Sequence, residues 1–416
     1  MTHQIENNWL LRNASLVDSA ERVDISIQGT EIQSVGSSLE NTSGAQELDL
    51  DGRLVIPGFV DAHMHLDKAY ALDTGLMASD TLEEAIVAFT EWGESATPDL
   101  IYQNALRAAQ QALVHGTVAL RTHVMVYPQG SQEWLGALIR VREEMAPWLE
   151  VQLAIMPAGN MFDESGGVAL LREAMQSGAD QIGGAPAFAA DQNGSIDTIY
   201  EIAGEFGRDI DVHIDETDDP NANTLEYLAE RKLTLGFEGT VTAGHCTSLS
   251  AMDEATAARV IEKVAEAGIH VITLPSCNMY LMGRRDKGLV RRGLTRVREL
   301  LAAGVNVAYA TDNIRDAFTP FGKADMLQGG LITAHALHIG TPADQRTLLD
   351  MGTKNPAQIL NLKDYGFVPG CMASLVVLDE QDWSNAIAKE SPRRYVFSKG
   401  KLVAQTEFNQ KLLING

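Results

Sequence analysis

The stretch Pro57-Gly58-Phe59-Val60-Asp61-Ala62-His63-Met64-His65 decides the fold of this 416-residue chain. It reads as a short apolar strand that follows a Pro-Gly turn and ends in two histidines separated by one residue. Residues i and i+2 of a β-strand point to the same face, so His63 and His65 project together. Two imidazoles on one face of a stiff strand form half of a metal site. The pattern predicts that the remaining ligands come from the ends of other strands.

Downstream of this strand, apolar strand patterns alternate with amphipathic helical patterns. Helical stretches such as 250–267 and 294–303 separate eight strand candidates, which lie at 58–65, 117–125, 151–156, 180–184, 209–214, 239–245, 269–274 and 305–311. Eight such units in one block predict an α/β fold, a (β/α)8 barrel with its catalytic groups at the C-terminal ends of the strands. The commonest alternative is an open doubly wound sheet, but no glycine-rich phosphate loop follows the first strand.

The two ends of the chain consist of short β-like runs with glycines between them. Three runs precede the barrel and three follow it, at 9–14, 24–27, 32–35, 373–379, 394–397 and 401–404. Each end is too short to enclose a core by itself. We therefore expect both ends to join into one small composite β-sandwich. The predicted division is 1–57 and 363–416 for the sandwich and 58–362 for the barrel.

The composition indicates an acidic globular protein. Lys and Arg number 32 and Asp and Glu number 56, which gives a net charge of −24. Such a surface repels nucleic acid and anionic membranes, so we expect neither as a partner. The chain has no apolar run of membrane-spanning length and does not begin like a signal peptide, so we expect a cytoplasmic protein. We also expect a homo-oligomer, whose size the sequence does not give.

Six polar side chains lie where the barrel hypothesis requires them, at or just beyond the ends of the first, fifth, sixth and eighth candidate strands. They are His63, His65, His213, Glu216, His245 and Asp312. Imidazoles and a carboxylate suit a divalent ion such as zinc or iron, which lowers the pKa of a bound water enough to give hydroxide near neutral pH. Asp312 can contact both metal and water, and His245 can orient the nucleophile or move its proton. Glu216 can exchange protons with a substrate.

These motifs resemble those of the amidohydrolase superfamily, and within it the cytosine deaminase-like branch. The resemblance covers nearly the whole chain and rests on the stretches 57–67, 213–219, 244–246, 291–297, 311–313 and 373–379. It implies an acid/base pair of Glu216 and His245. It also implies a composite β-domain and a set of metal ligands consisting of His63, His65, His213 and Asp312.

The fourth strand limits the number of metals that we expect. Dinuclear members of the superfamily bridge two metals with a carboxylated lysine at the end of this strand. Here no lysine occurs anywhere between Glu150 and Gly207. A single divalent metal with Glu216 as proton carrier fits deamination of an aromatic ring better than opening of a saturated cyclic amide.

Two departures from the cytosine deaminase pattern concern the substrate. The Pro-Gln pair whose glutamine binds the pyrimidine amide edge is Pro157-Ala158 here, and the aspartate beside the metal aspartate is Asn313. An amide donates as well as accepts, so the recognised edge should differ and cytosine should be a poor substrate. The stretches 312–316 and 320–322 also resemble enzymes that hydrolyse N-alkyl amines from hydroxylated triazines.

Three further residues are candidates for substrate binding. Lys68 follows the histidine pair and can contact substrate or form a local salt bridge with Asp67. His123 lies near the end of the second strand and can line the pocket or support a metal ligand. Phe318 lies in the loop after the eighth strand, where an aromatic ring can stack on a planar substrate or pack in the core.

The leading hypothesis is a cytosine deaminase-like aminohydrolase. It would remove an exocyclic amine from an aminopyrimidine, an aminotriazine or a pterin-like ring by attack of hydroxide generated at the metal. Two alternatives stay open. One is hydrolysis of a cyclic amide or imide, and the other is a barrel that keeps its site only for binding.

Overall fold

Two β-sheets organise the computed structural model, which describes residues 8–127, 131–157 and 161–413. The strands are β1 (Trp9–Leu16), β2 (Val23–Gln28), β3 (Glu31–Gly36), β4 (Gln46–Asp49), β5 (Leu54–Pro57), β6 (Phe59–Met64), β7 (Thr117–Val126), β8 (Glu150–Pro157), β9 (Gln181–Gly184), β10 (Asp209–Ile214), β11 (Val241–His245), β12 (His270–Thr273), β13 (Val307–Tyr309), β14 (Leu375–Leu378), β15 (Arg393–Ser398) and β16 (Lys401–Gln405).

The α-helices are α1 (Leu82–Gly93), α2 (Pro98–Val114), α3 (Ser131–Met145), α4 (Gly167–Gln176), α5 (Gln192–Phe206), α6 (Thr224–Leu235), α7 (Glu254–Glu266), α8 (Pro275–Leu281), α9 (Val297–Ala302), α10 (Met326–Ala336), α11 (Pro342–Met351), α12 (Lys354–Ile359) and α13 (Ser384–Ala388). Short 3-10 helices lie at Ala71–Thr74, Pro186–Phe188 and Thr247–Ser250. No helix within the described ranges is both long and apolar enough to cross a membrane.

Strands β6 to β13 form a parallel eight-stranded barrel in sequence order. The first and last strands meet through a parallel bridge between Met64 and Asp312, where the Asp312 N–H donates to the His63 carbonyl at 3.0 Å. Every residue of β6 is buried, as expected of a parallel strand covered on both faces. The predicted barrel is confirmed, and each of its eight strands overlaps a predicted one.

One predicted helix boundary is displaced for a local reason. The helix expected over 250–267 begins at Glu254, because the Asp253 side chain accepts hydrogen bonds from the N–H groups of Ala255 and Thr256 and caps it there. The preceding segment forms the 3-10 helix Thr247–Ser250. Caps of this kind fix the start of a helix more precisely than apolar periodicity does.

Both chain ends contribute to a second, mixed sheet with the order β16-β15-β14-β5-β1-β2-β3, and β4 also pairs with β1. The first half of β1 pairs with β4 and its last residues pair with β5. The ends of the chain meet where β5 runs antiparallel to β14. A separate core lies in this sheet and includes Leu11, Ile25, Val55, Leu375 and Phe397. The composite β-domain is confirmed, whereas the boundaries 1–57, 58–362 and 363–416 stay a prediction.

Candidate active site

Three histidines and an aspartate converge at the C-terminal mouth of the barrel. The Nε2 atoms of His63 and His65 lie 3.7 and 3.4 Å from Oδ1 of Asp312. His213 at the end of β10 brings its Nε2 within 3.2 Å of His65 Nε2. All four side chains are buried. The four residues predicted as metal ligands therefore come together, although they are separated by up to 249 positions in the sequence.

The donor atoms of this cluster fit a divalent metal ion. Ligand atoms of His63, His123 and His213 lie within 4.8 Å of one another, as do those of His63, His245 and Asp312. Within the part of the chain that the structure describes, His63 Nε2, His245 Nε2 and both Asp312 carboxylate oxygens have no hydrogen-bond partner. Buried polar atoms are costly without a partner. Imidazole and carboxylate donors in this arrangement suit zinc or iron.

Burial sets the protonation of the cluster. It lowers the pKa of His63, His65 and His213 well below the usual value, which keeps the imidazoles in the neutral form that binds metals. Burial, together with the nearby charge of Asp316, raises the pKa of Asp312 to about 8. A cation bound at this carboxylate favours its ionised form.

The backbone is strained where the catalytic candidates leave their strands. His245, Cys246 and Asp312 have φ angles of 68°, 51° and 62°, in the left-handed region that residues other than glycine seldom adopt. Such strain persists only where surrounding structure imposes it, and it is common in active sites. Gly244 makes room for the cluster, since a Cβ there would lie 2.9 Å from the ring of His63.

Glu216 and His245 form a connected pair beside the ligand cluster. Oε1 of Glu216 lies 3.2 Å from Nδ1 of His245. The Asn278 side chain on α8 donates to Glu216 Oε1 at 3.1 Å and also lies against His245 Nδ1. Burial and the charge of Asp312 raise the pKa of Glu216 to about 8, and burial lowers the pKa of His245 to about 3. The pair can therefore hold a proton on the carboxyl group while the imidazole stays neutral.

His123 lies behind the cluster. Its side chain is fully buried, and its Nε2 is 3.2 Å from Nδ1 of His63 and 3.6 Å from the carboxylate of Asp211. Asp211 in turn accepts a 2.8 Å hydrogen bond from Arg121. His123 thus contacts Nδ1 of His63, whereas Nε2 of His63 is the ring nitrogen near Asp312. The described lining of the cavity at the cluster does not include His123, so of its two predicted roles the geometry favours support of His63 over lining the pocket.

A cavity with an accessible volume of about 80 Å³ opens onto the cluster. Its polar lining includes His65, His213, Glu216, His245 and Asp312, together with two of the predicted substrate-binding residues, Lys68 and Asn313. Its apolar lining includes Leu82, Ile86, Met125, Met156, Phe188 and the predicted Phe318. A further predicted contact, Ala158, lies outside the described residues.

Two of the predicted substrate contacts already have protein neighbours. Asn313 donates from Nδ2 to Asp316 at 2.6 Å and accepts from the Cys277 thiol at 3.4 Å. One N–H and one lone pair of its amide remain for a ligand. Phe318 packs edge-on against Phe89, at 6.2 Å between ring centroids, and also faces the cavity.

The buried pair Arg121–Asp211 and the carboxylate of Asp316 belong to the site but were not predicted from the sequence. The sequence contains a spacing that could have identified the pair Arg121–Asp211. Arg121 precedes His123 by two residues and Asp211 precedes His213 by two, so each lies on the inner face of its strand. Asp316 has no such signal, because it reaches the site from the loop after β13.

The chain is similar to known proteins over most of its length. The model of the amidohydrolase family matches residues 46–128 and 101–404. The N-isopropylammelide isopropyl amidohydrolase of Pseudomonas sp. (strain ADP) is 30% identical over 407 residues, covering 96% of this chain and 97% of the relative. The pterin deaminase of Rhizobium rhizogenes (strain K84 / ATCC BAA-868) is 33% identical over 359 residues, covering 85% and 82%.

The fold agrees equally well with a solved structure. The 5-methylcytosine deaminase from Klebsiella pneumoniae, liganded with 5-fluorocytosine, superimposes with a TM-score of 0.92 at 31% identity. The match covers 97% of this chain and 99% of that protein. With a family match over most of its length and relatives at 30% identity or more, the chain belongs to the amidohydrolase family.

Proposed function

We propose that this protein is a metal-dependent hydrolase that removes an exocyclic amine from a nitrogen heterocycle, releasing ammonia or an alkylamine. The observation that carries the proposal is the position of Glu216 and His245. Both line the cavity together with Asp312, and they lie 3.2 Å apart. The relatives support the same chemistry, since they are named as an N-isopropylammelide amidohydrolase, a pterin deaminase and a 5-methylcytosine deaminase.

One divalent ion, zinc or iron, would be held by the imidazoles of β6 and β10 and by the carboxylate that follows β13. These ligands are His63, His65, His213 and Asp312. When bound, the ion supplies a nucleophilic water at neutral pH. The absence of lysine between Glu150 and Gly207 supports a single ion.

Glu216 and His245 move the protons. Because the pKa of Glu216 is raised to about 8, its carboxyl group carries a proton at neutral pH and can donate it to a ring nitrogen of the substrate. His245 Nε2 has no partner among the described residues and can accept a proton from the attacking water. Asn278 holds both groups in place through its contacts with Glu216 Oε1 and His245 Nδ1.

The cavity walls support a flat, ring-shaped substrate. Methionine and aliphatic side chains from α1, β7 and β8 line the cavity together with Phe318 and Phe188. Such an apolar lining suits aminopyrimidines, aminotriazines and pterin-like rings. Asn313 and Ala158 differ from the cytosine deaminase pattern, and we therefore expect cytosine itself to be turned over poorly.

Ammonia release from the purified, metal-loaded protein tests the proposal. The panel contains amino-pyrimidines, N-alkyl aminotriazines and pterin, with hydantoin and a cyclic imide as the competing substrate class and alkylamine detection in parallel. We expect turnover of at least one aminated ring, with one metal per chain by elemental analysis. Faster hydrolysis of hydantoin or the imide, with two metals per chain, would overturn the assignment.

Two wider expectations belong to the same proposal. We propose that the protein works in the cytoplasm as a homo-oligomer on a small heterocyclic molecule, without nucleic acid or membrane as a partner. The net charge of −24 supports the exclusion of polyanionic partners. Size-exclusion chromatography with light scattering tests the oligomeric state.

A further inference from the structure

Lys68 is a buried lysine that forms no close ion pair with the described residues. Its side chain lies at the start of the loop after β6 and is only 2% exposed. Among the described residues, Lys68 has no ion pair within 4.0 Å and donates no side-chain hydrogen bond; its Nζ has ring contacts instead. The predicted local salt bridge with Asp67 is not formed: Oδ2 of Asp67 accepts from the Met125 N–H at 2.9 Å, and Oδ1 has no hydrogen-bond partner among the described residues.

Two aromatic rings hold the ammonium in place. Nζ lies 4.5 Å from the ring centroid of Phe318 and 4.9 Å from that of Phe89. Phe89 belongs to a cluster of aromatic side chains that includes Trp92, Tyr127 and Trp134. The faces of the rings attract the charge, but they supply no hydrogen-bond acceptor of the kind that an ammonium has in water.

The same side chain lines the cavity that contains Glu216 and Asp312. A buried ammonium is costly unless it is paired and hydrogen-bonded. A ligand in the cavity is therefore well placed to supply the acceptor.

Only some chemical groups of a ligand can accept hydrogen bonds from the Lys68 ammonium. Lysine offers three N–H donors and no acceptor, so it pairs with a carbonyl oxygen or an oxyanion and is repelled by an amino group or a ring N–H. A negatively charged oxygen gains most, because hydrogen bonds between ionised partners are about twice as strong as neutral ones.

We propose that Lys68 binds an oxo or oxyanion substituent of the substrate ring, and that the enzyme therefore prefers oxygen-bearing amino-heterocycles to rings that carry only amino groups. This rests on the proposed deamination in identifying the cavity as a heterocycle site. Phe89 and Phe318 position the ammonium, and the oxygen of the substrate completes its coordination. Lys68 is thus a specificity-determining residue, distinct from the residues that hold the metal or move protons.

A pair of matched pyrimidines tests the proposal by calorimetry on the metal-loaded protein. Barbituric acid carries three exocyclic oxygens on carbons 2, 4 and 6 and is anionic at neutral pH, whereas 2,4,6-triaminopyrimidine presents amino groups at the same positions. We expect the wild type to prefer barbiturate. In Lys68→Met the affinity for barbiturate should fall about 10- to 100-fold, the usual size of a lost charged hydrogen bond, while that for the triamine stays within about threefold.

Three controls separate recognition from structure. Lys68→Gln keeps a donor without the charge and should lose less than Lys68→Met, and it replaces that variant if the latter does not fold. Lys401→Met removes a charge from β16, far from the cavity, and should change neither affinity. Metal content and the midpoint of thermal unfolding should match the wild type in Lys68→Met, Lys68→Gln and Lys401→Met. Equal loss of both ligands, or loss of metal in Lys68→Met, would assign Lys68 a structural role and overturn the inference.

Failure of this inference can be told apart from failure of the proposed function. Ammonia release without any Lys68-dependent preference for barbiturate refutes the inference and leaves the deaminase intact. Lys68-dependent binding of barbiturate, without turnover of any aminated ring, supports the inference and refutes the deaminase.

Discussion

Glu216 is the residue whose ionisation matters most for the proposed chemistry. It lies three residues beyond His213 and lines the cavity that opens onto the ligand cluster. Its carboxyl group, on a side chain that is 14% exposed, contacts Asn278 and His245, and its raised pKa favours the protonated form at neutral pH. A carboxylic acid with a pKa near the working pH is well matched to proton transfer in both directions.

Replacing Glu216 by Gln should abolish turnover and leave the metal bound. The amide keeps the shape of the side chain but cannot transfer a proton, so we expect kcat to fall by about 10²- to 10⁴-fold. Steady-state ammonia release measures the loss, and elemental analysis shows whether one metal remains. A variant with wild-type kcat would remove Glu216 from the mechanism.

His123 should act through His63. Its contact of 3.2 Å with Nδ1 of His63 leaves Nε2 of His63 directed toward Asp312, the geometry of a ligand oriented by its second ring nitrogen. Replacing His123 by Phe should therefore weaken metal affinity about 10- to 100-fold. Competition against a chelator measures that affinity without reference to activity.

The matched control for this variant is His270→Phe, on a histidine that begins β12, away from the cluster. We expect His270→Phe to keep the metal affinity of the wild type. If both variants lose metal equally, the effect would come from general destabilisation of the barrel and not from the contact with His63.

At the scale of elements, the inner face of the barrel explains why the site forms where it does. Residues two apart on β6, β7 and β10 share a face, which places Asp61 with His63, Arg121 with His123 and Asp211 with His213. Gly183 on β9 keeps that interior open, since a Cβ there would lie 2.5 Å from the Asp211 carbonyl. The polar interior is thus a consequence of strand periodicity.

Removing one partner of the ion pair between Arg121 and Asp211 should lower the free energy of unfolding more than replacing both partners by apolar side chains. Both side chains are fully buried and lie 2.8 Å apart. Asp211→Leu leaves an unpaired buried guanidinium, and we expect a loss of about 3–5 kcal/mol in the free energy of unfolding. The double variant Arg121→Met/Asp211→Leu should recover much of that loss. Urea unfolding of the wild type, the two single variants Arg121→Met and Asp211→Leu and the double variant tests this, and simple additivity of the two single losses would contradict it.

The elements themselves were predictable because their signals are local. All eight barrel strands were found from apolar runs between turn residues, and the catalytic candidates from their positions just after those runs. The sequence could not predict the roles of residues that depend on their neighbours in the folded structure. Nothing near Lys68 in the sequence shows that Phe89, on α1, and Phe318 enclose it. Nor does the sequence place Asn278 of α8 between Glu216 and His245.

At the scale of the whole molecule, the terminal sheet and the barrel are joined by polar contacts. The Tyr365 hydroxyl donates to the Gly58 carbonyl at 2.7 Å, at the entrance to β6. The side chain of Arg393 on β15 pairs with buried Asp325, which also caps α10. His115 at the end of α2 approaches the same carboxylate at 3.7 Å. This junction connects β15 of the terminal sheet to α2 and α10 of the barrel.

The junction should make stability depend on pH in a defined direction. Burial, with help from the charges of Arg393 and Lys323, lowers the pKa of His115 to about 4. An unfolded histidine has a pKa of about 6.5 and so binds its proton more tightly than the folded protein does. The contribution of neutral His115 is therefore complete above about pH 6.5 and is lost as the pH falls toward 4.

Replacing His115 by Gln should flatten that dependence. Between pH 7 and pH 4.5 the wild type should lose about 1–2 kcal/mol more of its free energy of unfolding than His115→Gln, after allowance for partial exposure of the ring. Urea unfolding at both pH values measures the difference, with exposed His335→Gln as the control that removes another histidine. The other buried histidines titrate in all three proteins and cancel in the comparison. If the wild type and His115→Gln lose the same free energy of unfolding between the two pH values, protonation of His115 does not destabilise the junction between sheet and barrel.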